Sequence, residues 1–122
     1  MTQRILIAED EPNIVISLEF LLSSAGYEVA VARDGAAALL MVDQLRPDLV
    51  VLDLMLPSVN GFEVCRRIRE GRESKHTKIL MLTARGRQTE VEKGMAAGAN
   101  AYMTKPFATR DLVQTVADLL AE

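Results

Sequence analysis

The stretch VVLDLMLP, residues 50–57, places one carboxylate, that of Asp53, inside a run that is otherwise wholly apolar. A short continuous apolar run is typical of a strand buried on both faces of a parallel sheet. A charge buried without partners is so unfavourable that it usually neutralises instead. The stretch therefore predicts a central strand that ends at Asp53, beside groups that keep this carboxylate ionised.

The composition of the chain is that of a globular protein with one core. Its 122 residues are 49% apolar and 25% charged, and its net charge is −3. We expect one domain, residues 1–122, that does not bind nucleic acid directly. A basic cluster from Arg66 to Lys78 is interrupted by acids, which indicates a solvated surface. No segment approaches the length of about 18 apolar residues that spans a bilayer, so we expect no membrane contact and a cytoplasmic location.

Short apolar runs alternate along the chain with longer segments of helical period. The predicted strands cover residues 4–8, 27–32, 48–53, 78–83 and 101–105. The predicted helices begin near Pro12, Asp34-Gly35, Asn60-Gly61, shortly before Val91, and at Thr109, which is expected to cap the last helix. This alternation predicts an α/β fold, a doubly wound five-stranded parallel sheet with five helices on its two faces. The common strand order at this size is 2-1-3-4-5, the flavodoxin-like arrangement, with function at the carboxyl ends of the strands.

Polar side chains gather at that edge of the predicted sheet. Glu9 and Asp10 follow the first strand, and Asp53, Thr83 and Lys105 end the third, fourth and fifth strands. Three neighbouring carboxylates repel one another, so at least one pKa should rise unless a cation joins them. Hard oxygen ligands on a small rim suit Mg²⁺, which is the cofactor that the sequence predicts. Mg²⁺ and the Lys105 ammonium would then stabilise the charge of the buried Asp53 carboxylate, as water does for an exposed one.

An ionised carboxylate in these surroundings is suited to attack on a phosphoryl group. The metal and the Lys105 ammonium offset charge on the transferring oxygens, and the Thr83 hydroxyl donates to one of them. Ala84 is small enough to leave room for the phosphoryl group and offers a backbone N–H. Taken alone, Thr83 and Ala84 indicate an ordinary strand end.

Four segments together resemble the signature blocks of one family: ILIAEDEPN, VVLDLMLPSVNGFEV, ILMLTAR and AYMTKPF. From about Arg4 to Leu120, the chain resembles the receiver domains of two-component response regulators. The resemblance implies that Asp53 accepts a phosphoryl group from a histidine kinase or phosphotransfer protein. It implies a signalling role and no turnover enzyme, with self-catalysed phosphotransfer and slow autodephosphorylation.

The resemblance also assigns the metal ligands. Asp10 and Asp53 would bind Mg²⁺ directly, Glu9 would act mostly through water, and the carbonyl of Met55 would complete the protein ligands. Glu9 stands where many receivers carry aspartate, a change that adds one methylene of reach.

The remaining roles concern the phosphoryl group and the switch. Lys105 would contact the phosphoryl group and form a cis peptide bond with Pro106. Thr83 and Tyr102 would be the switch pair, with Thr83 moving toward the phosphate and Tyr102 turning inward. The face formed by the fourth helix, fifth strand and fifth helix would then bind a downstream protein or effector domain.

Several alternatives stay open at the level of sequence. An aspartyl phosphatase commonly has a second Asp two residues after the nucleophile, where this chain has Met55. A flavin-binding module would have a phosphate loop rich in hydroxyl groups and glycine after the first strand, where the acidic stretch EDEPN would instead repel phosphate. A receiver that works without phosphate is a further reading. A phosphorylation-dependent dimer is also expected, although GANAY (98–102) and Thr115 lack the charges that DNA-binding relatives carry there. A stand-alone receiver and a piece of a longer regulator cannot be separated by these patterns.

Overall fold

The computed structural model describes residues 2–84 and 88–122. The elements in chain order are β1 (Arg4–Ala8), α1 (Pro12–Ser24), β2 (Glu28–Ala32), α2 (Gly35–Leu45), β3 (Leu49–Asp53), α3 (Gly61–Glu70), β4 (Lys78–Ala84), α4 (Gln88–Ala97), β5 (Ala101–Lys105) and α5 (Thr109–Ala121). All neighbouring strands are parallel, and their order is β2-β1-β3-β4-β5. The predicted α/β fold and strand order are confirmed.

Two apolar layers cover the two faces of the sheet. Successive residues of a strand point to opposite faces, so alternate residues of β1, β3 and β4 belong to different clusters. One cluster includes buried apolar residues of α2 and α3, and the other includes Leu18 and Leu22 of α1 and buried apolar residues of α5. Every residue of β3 is buried, because helices cover both faces of this central strand. The apolar run around Asp53 is thereby explained.

Local sequence signals set most helix ends. Pro12 begins α1, and Gly26 follows its end with a φ of 97° that glycine adopts without strain. Asn60 caps α3 by accepting a hydrogen bond from the Glu63 N–H. The prediction that Thr109 caps α5 is wrong. Ala108 is the cap residue and accepts the first helical hydrogen bond, from Leu112, so Thr109 already lies inside the helix.

Candidate functional site

Three carboxylates meet at the carboxyl edge of the sheet. β1 and β3 are adjacent, so Glu9 and Asp10 follow one strand beside the end of the strand that carries Asp53. One carboxylate oxygen from each of the three side chains lies within 4.8 Å of the others. Glu9 is fully buried, Asp53 is 5% exposed, and Asp10 is exposed. The cluster is therefore open to solvent on the side of Asp10.

The buried Glu9 carboxylate is fully hydrogen-bonded. Its Oε1 accepts a hydrogen bond from Lys105 Nζ at 2.6 Å, and its Oε2 accepts from the backbone N–H groups of Asp10 and Glu11 at 3.0 and 3.2 Å. Burial and the neighbouring Asp53 carboxylate nevertheless raise the pKa of Glu9, although the lysine opposes this. Burial is the largest cause of this rise in pKa, because it disfavours the charged form, and the nearby Asp53 carboxylate adds to it.

Lys105 bridges the two buried acids from the end of β5. Its Nζ lies 2.6 Å from Glu9 Oε1 and 3.4 Å from Asp53 Oδ1. Burial lowers the pKa of Lys105, but the hydrogen bond to Glu9 and the two negative charges outweigh burial, and the net pKa shift is upward. The lysine is therefore charged near neutral pH. The peptide bond between Lys105 and Pro106 is cis.

The loop after β3 contacts the Asp53 side chain through its backbone. The Met55 N–H donates to Asp53 Oδ1 at 3.1 Å, while the Met55 side chain is 58% exposed. Gly61 begins α3 directly against this turn, since an added Cβ would lie 2.7 Å from the Asp53 carbonyl oxygen. The loop backbone thus fixes one oxygen of the aspartate, and the methionine side chain plays no part in that contact.

Thr83 and Ala84 lie at the end of β4, between β3 and β5. Thr83 is 1% exposed, and its hydroxyl has one long contact, 3.5 Å, with the Ala84 carbonyl oxygen. Ala84 is exposed at the strand end, and in register it pairs with Lys105. Tyr102 lies on the adjacent strand β5 with 44% of its surface exposed. The residues predicted from sequence thus occupy neighbouring strand ends, with Tyr102 facing outward.

The acid cluster has the donor set and the charge that suit Mg²⁺. Among residues 2–84 and 88–122, the Lys105 ammonium is the cation that the structure places against these three carboxylates. Carboxylate oxygens are hard ligands, and Mg²⁺ is commonly held by one or two of them together with water. Glu9, Asp10 and Asp53 are therefore able to hold this ion.

Two residues near the site were not singled out by the sequence. In the sequence, Asp34 indicates only the start of a helix, and Ser58 has no assigned role. Ser58 lies in the loop between β3 and α3 with a φ of 65°, and its hydroxyl donates to the Asp34 carboxylate. The turn-forming residues around Ser58 indicate a loop, but they do not indicate which element holds it.

A family model described as "Response regulator receiver domain" matches residues 5–117. The DNA-binding response regulator MtrA of Mycolicibacterium smegmatis is 44% identical over 116 residues, which are 95% of this chain and 50% of MtrA. The chain spans about half the length of the curated relatives that it matches first.

Solved structures agree with this family over the full chain. A crystal structure assigned to a response regulator from Chloroflexus aurantiacus J-10-fl is 38% identical with a TM-score of 0.96, and the match covers 100% of both chains. The receiver domain of sensor histidine kinase PA1611 from Pseudomonas aeruginosa PAO1, which has a magnesium ion coordinated in its active site cleft, is 31% identical. Its TM-score is 0.92, and again both chains are covered at 100%.

The fold, the acid cluster and the comparisons lead to one assignment. Phosphorylation of an aspartate with Mg²⁺ is the general function of the family that the match identifies, and its role is in two-component signalling. Among the described residues, the structure contains no helix that is both long and apolar enough to cross a membrane. The chain belongs to the response regulator receiver domain family.

Proposed function

We propose that Asp53 is the phospho-acceptor and that its donor is a phosphohistidine on a histidine kinase or phosphotransfer protein. The observation that carries this proposal is the Asp53 carboxylate at the end of β3, within 3.4 Å of Lys105 Nζ and beside Glu9 and Asp10. A carboxylate oxygen of Asp53 attacks phosphorus, and the bond from phosphorus to the donor's imidazole nitrogen breaks. The electron pair of that bond goes to the nitrogen.

Mg²⁺ is the proposed cofactor at the acid cluster. Asp10 and Asp53 bind it directly, Glu9 acts mostly through water, and the Met55 carbonyl completes the protein ligands. Two features support this proposal, the 4.8 Å grouping of carboxylate oxygens and the burial of two of these acids, Glu9 and Asp53. When bound, the ion offsets the negative charge on the phosphoryl oxygens.

Lys105, Thr83 and Ala84 are proposed to contact the phosphoryl group. The Lys105 ammonium is charged and lies between two acids, so one of its N–H groups can donate a hydrogen bond to an incoming phosphoryl oxygen. The Thr83 hydroxyl makes a long contact of 3.5 Å with the Ala84 carbonyl, and an acceptor on the phosphoryl group offers it a better hydrogen bond. The exposed Ala84 leaves space at the strand end and supplies a backbone N–H.

The same threonine is proposed to start the conformational switch. Thr83 moves toward the phosphoryl group, and Tyr102, now 44% exposed, turns inward into the space left behind. These movements change the face formed by α4, β5 and α5. Phosphate needs to stabilise the active arrangement by only a few kcal/mol to shift the population toward it.

That face is proposed to bind a downstream protein or effector domain, in the cytoplasm. MtrA is named a DNA-binding response regulator, so an effector that binds DNA is one form of this output. The length of the open reading frame decides whether the effector shares the polypeptide. A phosphorylation-dependent dimer through α4 and α5, and slow self-catalysed loss of phosphate, complete the proposal. Sedimentation with and without a beryllium fluoride adduct tests the dimer, and an unchanged monomer would contradict it.

The proposed acceptor is tested by intact mass after incubation with acetyl phosphate and Mg²⁺. We expect the wild-type protein to gain the mass of one phosphoryl group and Asp53→Asn to gain none. Asp118→Asn is the matched control, because Asp118 is exposed on α5 and accepts a hydrogen bond from Gln114 of the same helix. A gain that persists in Asp53→Asn, or no gain in the wild type, would reject the assignment.

A further inference from the structure

The loop of residues 54–60, which follows Asp53, is held by the start of α2. The first N–H groups of any helix lack partners inside the helix. In α2, the Gly35 N–H donates to the Pro57 carbonyl at 2.9 Å, and the Ala36 N–H donates to Ser58 Oγ at 3.1 Å. The loop of residues 54–60, which includes Met55, thus accepts hydrogen bonds from two N–H groups that have no partner within α2.

Asp34 and Ser58 connect these two elements. Asp34 Oδ1 accepts a hydrogen bond from the Ala37 N–H at 2.8 Å, which caps α2, and it also accepts from Ser58 Oγ at 3.3 Å. The Ser58 hydroxyl therefore accepts from the helix and donates to the helix cap. The carboxylate and the hydroxyl together form one connection between α2 and the loop, which we call the α2 clamp.

The backbone at Ser58 is strained, and the clamp opposes that strain. Ser58 has a φ of 65°, in the left-handed region that residues other than glycine rarely adopt. Such a conformation persists only where the surroundings hold it. The contacts of Ser58 to Ala36 and Asp34 are hydrogen bonds that do so.

Close packing adds to these hydrogen bonds. An added Cβ on Gly35 would lie 1.8 Å from the Val59 carbonyl oxygen, so only glycine allows α2 to begin this close to the loop. Both atoms of this contact belong to backbone, which cannot move aside as a flexible side chain can. The middle of the loop is therefore fixed in place by α2.

The two ends of the loop are fixed by the sheet and by α3. The Leu54 N–H donates to the Leu82 carbonyl at 2.9 Å, and the Gly61 N–H donates to the Leu54 carbonyl at 3.0 Å. Between these ends, the Met55 N–H donates to Asp53 Oδ1. A displacement at Ser58 must be absorbed within the two residues that separate it from Met55, whose N–H contacts the Asp53 carboxylate of the acid cluster.

We propose that Asp34 and Ser58 are positioning residues for the metal and phosphoryl site, acting through the α2 clamp. This inference rests on the proposed function of Asp53 and Met55. The clamp holds the loop so that the Met55 backbone and the Asp53 carboxylate keep the arrangement that binds Mg²⁺. Neither Asp34 nor Ser58 touches the metal or the phosphoryl group.

The test measures Mg²⁺ affinity by titration calorimetry and hydrogen exchange of the Met55 amide by NMR. Ser58→Gly removes the hydroxyl and adopts the same φ without strain, so we expect it to fold. We expect its Mg²⁺ dissociation constant to rise about tenfold, the lower end for residues that orient metal ligands, with faster exchange at Met55. Ser74→Ala is the control, because Ser74 Oγ donates to the Ile68 carbonyl at 2.7 Å, far along the chain from the loop.

Asp34 provides a second, graded test. Asp34→Ala should weaken Mg²⁺ binding as Ser58→Gly does. Asp34→Asn should retain wild-type binding, because its amide oxygen still caps α2 and accepts from Ser58. A merely structural role would lower the stability of the variants and of Ser74→Ala without a selective change in Mg²⁺ affinity.

The outcomes separate this inference from the proposed function. If the wild type binds Mg²⁺ and takes up phosphate, but Ser58→Gly binds Mg²⁺ equally well, the positioning role is wrong and the proposed function stands. Equal weakening in Ser74→Ala would also overturn the positioning role. A wild-type protein that binds no Mg²⁺ would overturn both.

Discussion

Replacement of Lys105 by methionine removes the ammonium that lies between two buried acids. With an effective dielectric constant of 20, its charge attracts Glu9 at 2.6 Å by about 6 kcal/mol and Asp53 at 3.4 Å by about 5 kcal/mol. These gross energies overstate the loss, since the ammonium is also desolvated and Glu9 can take up a proton when the lysine is absent.

Protonation of Glu9 limits the loss of stability. Bringing a proton to a carboxyl group with the ordinary pKa of 4.5 requires about 3.5 kcal/mol at pH 7 and about 0.7 kcal/mol at pH 5. We therefore expect Lys105→Met to lower the free energy of unfolding by about 3 kcal/mol at pH 7, without divalent ions.

The expected pH dependence has a definite sign. In the variant, the pKa of Glu9 is higher in the folded than in the unfolded protein. The folded state then binds more protons, and stability falls as the pH rises from 4.5 through the folded pKa. Relative to the wild type, the loss should be small at pH 5 and large at pH 7.

Urea denaturation followed by circular dichroism, with a chelator present, measures this effect. Lys78→Met is the matched control, because the Lys78 side chain is 25% exposed and the Lys105 side chain is 22% exposed. The partner of Lys78 differs, since the Glu122 side chain is 61% exposed and its Oε1 lies 3.5 Å from Lys78 Nζ. We expect this control to lose less than about 1 kcal/mol. Added Mg²⁺ should recover part of the loss in Lys105→Met only. Equal losses in the two variants, or a loss independent of pH, would refute the reasoning.

Three further predictions concern packing and surface charge. Gly35→Ala should destabilise the protein by about 3 kcal/mol or more, since the added Cβ would lie 1.8 Å from a backbone atom. Gly26→Ala has open space around the added Cβ and should lose only about 1 kcal/mol, because of the positive φ. Urea denaturation of both variants tests this order, and equal losses of stability would contradict it. The Cys65 thiol is buried and its pKa is raised by burial, so it should react with Ellman's reagent only after unfolding, and rapid labelling of the native protein would contradict this. Hydrogen bonds from two arginines lower the pKa of Glu63 to about 2. The contribution of Glu63 to the free energy of unfolding is therefore present above pH 4.5 and is lost as the pH falls through about 2. An NMR titration of the Glu63 carboxyl with a midpoint near 4.5 would contradict this prediction.

The sequence predicts the sheet well because parallel strands are buried on both faces. Continuous apolar runs then mark the central strands, and a charged residue at the end of a strand marks the functional edge, as Asp53 does for β3 and Lys105 for β5. The strand order follows from the common solution for this alternation. The acid cluster could be predicted in the same way, because it depends only on which strand each residue ends.

Contacts between distant residues could not be predicted in this way. Nothing local indicates that Lys105 lies closer to Glu9 than to Asp53, or that Ser58 is held by Asp34. The Arg69 guanidinium donates to backbone carbonyls of two other segments and to the side chain of Asn100. Its place in the sequence suggests only a surface arginine. Such contacts depend on how finished elements pack, and no periodic pattern in the chain records them.

The carboxylate cluster, together with Mg²⁺, is expected to let one particular aspartate take up phosphate. Borohydride reduction of the protein after reaction with acetyl phosphate converts a phosphorylated aspartate to homoserine, and peptide mass spectrometry then locates it. We expect homoserine at position 53 alone, and only when Mg²⁺ is present. Homoserine at another position, or equal labelling in the presence of a chelator, would contradict the account.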